Sequence, residues 1–402
     1  MPQHLDDQSP RTAPADLLAK NWKRYVRNAA KYNRVVPDIL PTTFYIPSDY
    51  GMWYSAACKH RGECGARHAP PPACRMPAFA DWIWIVKPVG KAQGRGIFLV
   101  DAASAGKLKA LTRTRPSTPG SGGDSPRTPA GTASPYKSGS AAATFSSGVS
   151  KLDSMYIVSR YIDNPLLVGR RKFDLRLYVL VTSWQPLQAY IHRSGFARFC
   201  AVQYTATPKD GSGKRAAAAD LDNLYMHLTN VAIQKHGDEY SATHGGKWPL
   251  ESLRAHLKCT MGETATAQAF ADIRSLIHHS LLAVQPSMVS APGCFELYGY
   301  DVMLDAQLAP WLIEVNASPS LSATTAHDKR RKTTLVADVL DVVMPHTRPM
   351  VPAAPAAGAA GGAGAGEHWR PAAMPQFELL TDELADKAHL AAAAIRSSGI
   401  KG

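Results

Sequence analysis

Pro310-Trp-Leu-Ile-Glu-Val-Asn-Ala-Ser-Pro-Ser-Leu321 reads as an apolar strand that ends in a proline turn. Strand side chains alternate, so Glu314 and Asn316 project from one face while Trp311, Ile313 and Val315 pack on the other. Upstream, Phe295-Glu-Leu-Tyr-Gly-Tyr-Asp-Val-Met-Leu304 reads as a second strand carrying Asp301. The short Asp305-Ala-Gln-Leu-Ala309 turn between them predicts a hairpin. Side by side, the strands would cluster Asp301, Glu314 and Asn316. Three hard oxygen donors with open positions are how Mg²⁺ is usually held beside phosphates. Taken alone, Glu-x-Asn also suits a polar edge strand before a turn.

The rest of the chain supplies cations to face that cluster. Asp81-Trp-Ile-Trp-Ile-Val-Lys87 is a buried strand that runs into a glycine-rich loop, Pro88 to Gly96, and then into Ile97-Phe-Leu-Val100. Strand, glycine loop, strand is neither a P-loop nor a Rossmann turn, both of which lead into a helix. It predicts a hairpin whose loop can fold over phosphates, with Gly90, Gly94 and Gly96 allowing close approach. In Arg170-Arg-Lys-Phe-Asp-Leu-Arg-Leu-Tyr-Val-Leu-Val181, alternation puts Lys172, Asp174 and Arg176 on one face and Phe173, Leu175 and Leu177 on the other. Met155 to Ile162 is a strand whose end could hold an adenine ring. Lys87, Lys172 and the oxygen cluster together describe an ATP site between two sheets, and no Ser-His-Asp, HExxH or Cys-His nucleophile motif competes with it. An ATP site with extra cations suits activation of a carboxylate as an acylphosphate, followed by attack of an amine.

The 402 residues carry a net charge of +13 and a pI near 9.4, which implies an acidic partner. Lys and Arg are dispersed, with short runs at Arg170-Arg-Lys172 and Lys329-Arg-Arg-Lys332 and no long basic arm, so nucleic acid is not expected. The first residues lack an apolar core, and no run approaches the roughly 18 apolar residues of a membrane span, so neither secretion nor a membrane is expected. Cys200, Cys259 and Cys294 read as buried thiols in a reducing, cytosolic setting. Cys58, Cys64 and Cys74, with His60 and His68, lack a C-x₂-C zinc spacing.

Helices are expected over Asp16–Tyr32, Pro249–Cys259, Ala265–Val284 and Thr324–Val343, the last with Leu335, Val339, Leu340 and Val343 inward and Lys329–Lys332 near its start. In the first, Leu17, Leu18, Trp22, Tyr25 and Val26 share a side. Strands are expected over Thr43–Pro47, Leu187–His192 and Gly195–Cys200, and Gly245-Gly-Lys-Trp248 reads as a turn. Residues 51–78 look like an irregular Cys/Pro-rich insert, 102–150 like a disordered insertion and 352–366 like a flexible linker. Gln376–Ile395 fits a short amphipathic helix through Phe377, Leu380, Leu384 and Ala388.

From Trp82 to about Val343 the chain resembles the tubulin–tyrosine-ligase-like family, and most of all its α-tubulin polyglutamylase branch. The motifs that carry the resemblance are Lys87-Pro-x-Gly-Lys-Ala-Gln-Gly-Arg-Gly-Ile97, Asn164-Pro-Leu-Leu-x-Gly169, Arg171 to Val181, His227-Leu-Thr-Asn-Val-Ala-Ile-Gln-Lys-His236, Gly245-Gly-Lys-Trp248 and Trp311 to Leu321. The resemblance implies an α/β (α+β) ATP-grasp fold, two sheets sandwiching ATP, with disordered inserts and tail. Expected units are an N-terminal helix and insert (1–80), a central ATP-grasp subdomain (81–162), a C-terminal one with the metal site (163–345) and a flexible tail (346–402). It implies that Lys87, Gln93, Gly94, Lys172, Phe173, Asp174, Thr229 and Asn230 contact ATP, with Ser159, Arg160, Tyr161 and Ile162 as the adenine hinge. Asp301, Glu314 and Asn316 would bind Mg²⁺, and Arg198, Lys247 and Lys332 would hold an incoming L-glutamate. Lys172, Arg176 and Glu314 would act in catalysis.

The implied activity is ATP-dependent addition of L-glutamate to glutamate side chains in tubulin tails, with accessory subunits as further partners. The implied location is the cytoplasm and cytoskeleton, at ciliary or flagellar axonemes and basal bodies. A glycylase, a tyrosine ligase or a non-catalytic microtubule-binding subunit would share the fold. The resemblance also implies an N-terminal subdomain ahead of the helix near Asn21, for which the preceding residues are too few.

Overall fold

The computed structural model describes residues 15–58, 82–89, 91, 94–101, 104–111, 155–205, 221–235, 246–289, 291, 293–323, 325–344, 350–352, 369–371 and 376–382. The chain enters through α1 (Ala15–Lys31), whose Ala19, Trp22 and Ala29 are buried while Leu17, expected inward, is exposed. β1 (Thr43–Ile46) follows, then α2 (Tyr50–Cys58). The expected irregular insert therefore begins as a helix. The reason is Trp53, fully buried against Tyr50 and Trp84. The other cysteines and histidines of that insert lie outside the described residues.

β2 (Trp84–Pro88) and β3 (Phe98–Val100) form the expected antiparallel hairpin, joined by the glycine loop. α3 (Gly106–Leu111) occupies the start of the stretch expected to be disordered, with Leu108 fully buried; most of that stretch is outside the described residues. β4 (Tyr156–Arg160) completes a small antiparallel sheet in the order β1-β4-β2-β3.

The large sheet is built on one long strand, β6 (Arg171–Trp184), preceded by the two-residue β5 (Leu167–Val168). On one side, β8 (Phe196–Phe199) pairs with the first half of β6, and β7 (Leu187–His192) with the second. On the other side lies β10 (Glu296–Leu304), which pairs in turn with β11 (Pro310–Asn316). Between β8 and β10 the chain makes α4 (Leu224–His227), α5 (Val231–Gln234), β9 (Lys247–Pro249), α6 (Leu250–Met261) and α7 (Glu263–Val284). The expected turn at Lys247 is thus a strand, paired to β8.

Alternation along β6 decides the layering. Phe173, Leu175, Leu177, Val179 and Val181 share one core with Leu253 and Leu257 of α6 and Ile273, Ile277 and Leu281 of α7. Each such side chain contributes about 1.5–3 kcal/mol of burial. The first part of the even-numbered face, Lys172 to Arg176, is left for chemistry. α8 (Ala326–Val343) packs Leu335 and Val339 against Tyr178 and Leu180 of that face. Leu340, expected inward, is exposed.

Beyond α8 come β12 (Met350–Pro352) and β13 (Trp369–Pro371), a small ladder, and β14 (Phe377–Asp382), which adds to the large sheet at β7. The amphipathic helix expected from Gln376 is therefore a strand over its described part. Phe377 and Thr381 are buried, and the edge of β7 gives the backbone partners that a lone short helix lacks.

Candidate functional site

The β10–β11 hairpin forms in the expected register: Asp301 faces Glu314, and Gly299 faces Asn316. One detail departs from simple alternation. Asp301 pairs with Glu314 and Val302 with Leu312, so Ile313 is bulged out and Leu312 is the buried core residue. A bulge re-aims the residues beside it, and here it sits directly before Glu314. Asn316 Nδ2 donates to Glu314 Oε1 at 3.2 Å and to Gly299 O at 3.2 Å. The carboxamide oxygen is then what it could offer a cation. Gly299 is required: a Cβ there would stand 2.8 Å from Pro319 and 3.4 Å from Arg176. The proline turn after Asn316 is thereby laid against Arg176.

Lys172, Asp174 and Arg176 do share a face of β6, and the structure ties them to the hairpin. Arg176 makes a two-pronged pair with Asp301, Nε to Oδ1 at 2.5 Å and an Nη to Oδ2 at 3.1 Å. Arg198, reaching across from β8, donates to Asp174 Oδ1 at 2.8 Å and also pairs with Asp301 Oδ2 at 2.7 Å. Thr229 donates to Asp174 at 2.8 Å. A continuous ladder results, Thr229–Asp174–Arg198–Asp301–Arg176, all of it buried or nearly so. Burial alone would raise the Asp301 pKa, but the two guanidiniums bring it down to about 2. Glu314 goes the other way: burial and the neighbouring Asp301 carboxylate both raise it. Two adjacent carboxylates pushed apart in this way form a pair that a cation would relieve.

Lys87, on β2 of the small sheet, faces this pair. Burial lowers its pKa, while Glu314 and Asp301 are near enough to oppose that. Lys172 is only 2% exposed. It donates to the Tyr161 hydroxyl at 2.7 Å and to the His227 carbonyl at 3.0 Å, and its ammonium lies 4.1 Å from the centre of the Tyr161 ring. Burial pulls its pKa down to about 8. The Tyr161 hydroxyl also hydrogen-bonds Nδ1 of His227, 2.8 Å away. Of the expected hinge, Tyr161 is the residue whose side chain contacts Lys172. Ser159 bonds Thr43 at 2.9 Å and Arg160 lies over the Trp82 ring at 4.6 Å; Ile162 is half-buried.

Phe173 was expected among the ATP contacts, but its side chain is in the core, 5.3 Å from the Phe199 ring, because it occupies an odd position of the strand. Gly94 sits over Asn230: its φ is +77°, and a Cβ would stand 2.6 Å from Ile233 and 3.2 Å from Asn230. The glycine loop therefore closes down on the segment that carries Thr229 and Asn230. Gln93 lies outside the described residues. Of the cysteines read as buried thiols, only Cys200 is so; Cys259 and Cys294 are exposed.

Lys247 and Lys332 come together through a residue the sequence reading missed. Asp328, on the first turn of α8, accepts from Lys247 at 3.0 Å and lies 3.4 Å from Lys332. Lys332 also donates to the Ser322 carbonyl. Asp328 stands four residues before Lys332, one helical turn, which was a usable signal. His227 was missed as well, although it opens one of the quoted motifs; its bond to Tyr161 follows no period that a sequence displays.

Among the described residues no three His, Cys, Asp or Glu side chains converge on one point. A cation here would rest on Asp301, Glu314 and the Asn316 oxygen. That donor set fits Mg²⁺, which takes oxygen ligands and keeps several positions for water or phosphate. Among the described residues no helix is long and apolar enough to cross a membrane.

The model of the tubulin-tyrosine ligase family matches residues 3–350. The chain is 39% identical over 341 residues to a probable alpha-tubulin polyglutamylase of Tetrahymena thermophila, covering 82% of this chain and 68% of that one. It is 38% identical over 335 residues to a probable tubulin polyglutamylase of Rattus norvegicus, covering 82% and 65%. A tubulin polyglutamylase of Homo sapiens is 29% identical over 349 residues, which is 21% of its length. The chain thus spans about two thirds of the length of the first two.

Proposed function

The chain belongs to the tubulin-tyrosine ligase family, and from that premise we propose that it is an ATP- and Mg²⁺-dependent tubulin polyglutamylase. The observation that carries the reading is the facing of Lys87 and the Asp301–Glu314 pair across the two sheets. The relatives named as polyglutamylases support the choice of reaction.

In this reading ATP lies between the sheets. Lys87 and Lys172 meet its phosphates, Gly94 closes over it, and Tyr161, Thr229 and Asn230 line its approach. Asp301, Glu314 and Asn316 would hold Mg²⁺, which would neutralise β- and γ-phosphate charge. A glutamate carboxylate of the tubulin tail attacks the γ-phosphorus and ADP leaves, giving an acylphosphate. The amine of a free L-glutamate then attacks the acyl carbon; phosphate leaves and the amine gives up a proton. Arg176 and Arg198 stand where negative charge gathers, and Lys247 and Lys332 hold the incoming glutamate. Both carboxylates of that substrate need cationic partners, which favours glutamate over glycine or tyrosine.

The net charge of +13 suits acidic tails and the microtubule surface. A cytoskeletal location follows, at axonemes and basal bodies, with accessory subunits as further partners. The deciding experiment incubates the purified protein with tubulin, ATP, Mg²⁺ and labelled glutamate, glycine or tyrosine in parallel. Glutamate incorporation is expected, with mass spectrometry locating it on tail glutamates. Incorporation of glycine or tyrosine alone would overturn the reading, and tubulin binding without incorporation would leave a binding subunit.

A further inference from the structure

Tyr178 continues the series Lys172, Asp174, Arg176 along the same face of β6, yet it carries no charge and sits at the end nearer α8. It is 3% exposed, and its hydroxyl has no hydrogen-bond partner among the described residues. A buried hydroxyl without a partner is costly and calls for an explanation. The ring is fixed: Leu180, Tyr190, Leu335 and Val339 share its cluster. The residue lines a small cleft together with Ser194, Gly195, Asp328, Arg331 and Lys332.

The cleft has the character of a carboxylate site. Lys332 lines it directly, and Lys247 is joined to its wall through Asp328. Arg331 closes one side, pinned by Glu251 at 2.9 Å and by the Gly195 carbonyl at 3.3 Å. Asp328 on its wall belongs to the first turn of α8, an 18-residue helix whose N-terminal end favours negative charge. Gly195 admits no side chain, since a Cβ would stand 2.5 Å from the Arg176 carbonyl. Burial raises the Tyr178 pKa, so the hydroxyl stays protonated and can only gain by donating to an acceptor.

Resting on the reading above, we propose that Tyr178 is a specificity-determining residue whose hydroxyl donates a hydrogen bond to a carboxylate of the incoming amino acid. Asp328 is its positioning counterpart: it touches no reacting atom but sets Lys247 and Lys332 around the same cleft.

The test is Tyr178→Phe, which keeps the ring and removes one oxygen. The KM for glutamate should rise about tenfold or more, as for a lost hydrogen bond to a charged group. The KM for ATP should stay within about twofold and kcat should change little. A melting temperature matching wild type establishes that the fold is intact. Asp328→Asn supplies the second variant, with a raised glutamate KM and an unchanged ATP KM expected. Wild-type incorporation of glutamate with an unchanged glutamate KM in Tyr178→Phe overturns this inference and leaves the polyglutamylase reading standing. Glutamate and ATP KM values rising together also overturn it, since that marks a structural role. A wild-type protein that incorporates no glutamate overturns both.

Discussion

Two of the charged clusters on the large sheet could hardly differ more in setting. Toward β10 and β11, Asp174, Arg198, Asp301 and Arg176 interlock away from water. Toward β14, Glu378 lies between Arg193 at 3.0 Å and Arg274 at 2.6 Å, with all three side chains substantially exposed. Both pair carboxylates with guanidiniums, but the physics is not the same. A buried ladder of this kind starts from a large desolvation penalty and is a poor device for stability, since apolar residues of similar volume serve as well or better. The exposed trio has little penalty and little strength. A fold that keeps the expensive arrangement at one end of a sheet and the mild one at the other is using the first for something besides folding.

Breaking the buried ladder should give the largest effect. Asp301 holds two guanidiniums and one corner of the proposed cation site. Asp301→Asn should abolish glutamate incorporation and destabilise the fold by about 2–3 kcal/mol in urea denaturation. The pH dependence has a defined sign. Asp301 has a pKa of about 2 in the folded protein against 3.8 ordinarily. Its contribution is present above pH 3.8 and is lost as pH falls toward 2. The Asn variant should lack that acid-side component when the two proteins are unfolded at matched pH.

Lys172 offers a sharper version of the same contrast, because here burial and charge work against each other. Its pKa is about 8 in the folded protein against 10.5 ordinarily. Between those values the unfolded chain binds more protons, so stability should rise with pH across that window. The relief amounts to about 3 kcal/mol by pH 10.5. Lys172→Met keeps the stem and removes the charge. At pH 7 it should be as stable as wild type or more so, should lose the rise above pH 8, and should fail to turn over. A variant both inactive and less stable at pH 7 would mean that the ammonium holds Tyr161 and His227 in place more than it serves a ligand.

What could be read from the sequence follows the same division. The buried ladder was legible because charges at period two inside an apolar strand, as at Lys172, Asp174 and Arg176, have few uses besides a site. The Asp301–Glu314 register was legible because a short turn fixes a hairpin. The bulge at Ile313 was not, since a bulge changes one pairing and leaves the composition alone. Phe173 entered the expected ATP set by following a motif through a position whose parity sends the side chain into the core. Asp328 was hidden in a basic run whose excess of cations drew attention from the one acid that organises it. β14 was read as a helix because Phe377, Leu380 and Leu384 fit a 3.6 period; its fate was decided by the open edge of β7, which no local pattern reveals. The helix at Tyr50–Cys58 was obscured by the cysteines and prolines that follow it.

The exposed trio gives the smallest expected effect, and it tests whether β14 is held by charge or by backbone. Glu378 is 41% exposed, and each of its two arginines is about as open or more so. Removing such a pair usually costs about 0.2–1 kcal/mol, and less at high salt. Against this, β14 makes ladder hydrogen bonds to β7 from Phe377 to Asp382 and buries Phe377 edge-on to His192 at 4.7 Å. Glu378→Ala should therefore lower stability by under about 1 kcal/mol and leave β14 protected in hydrogen exchange. Phe377→Ala removes a buried aromatic and should cost about 3 kcal/mol, releasing the strand. If Glu378→Ala released the strand instead, the ion pairs would be holding an edge whose backbone bonds and apolar anchor are not enough, and the contrast between the two charged regions would lose its force.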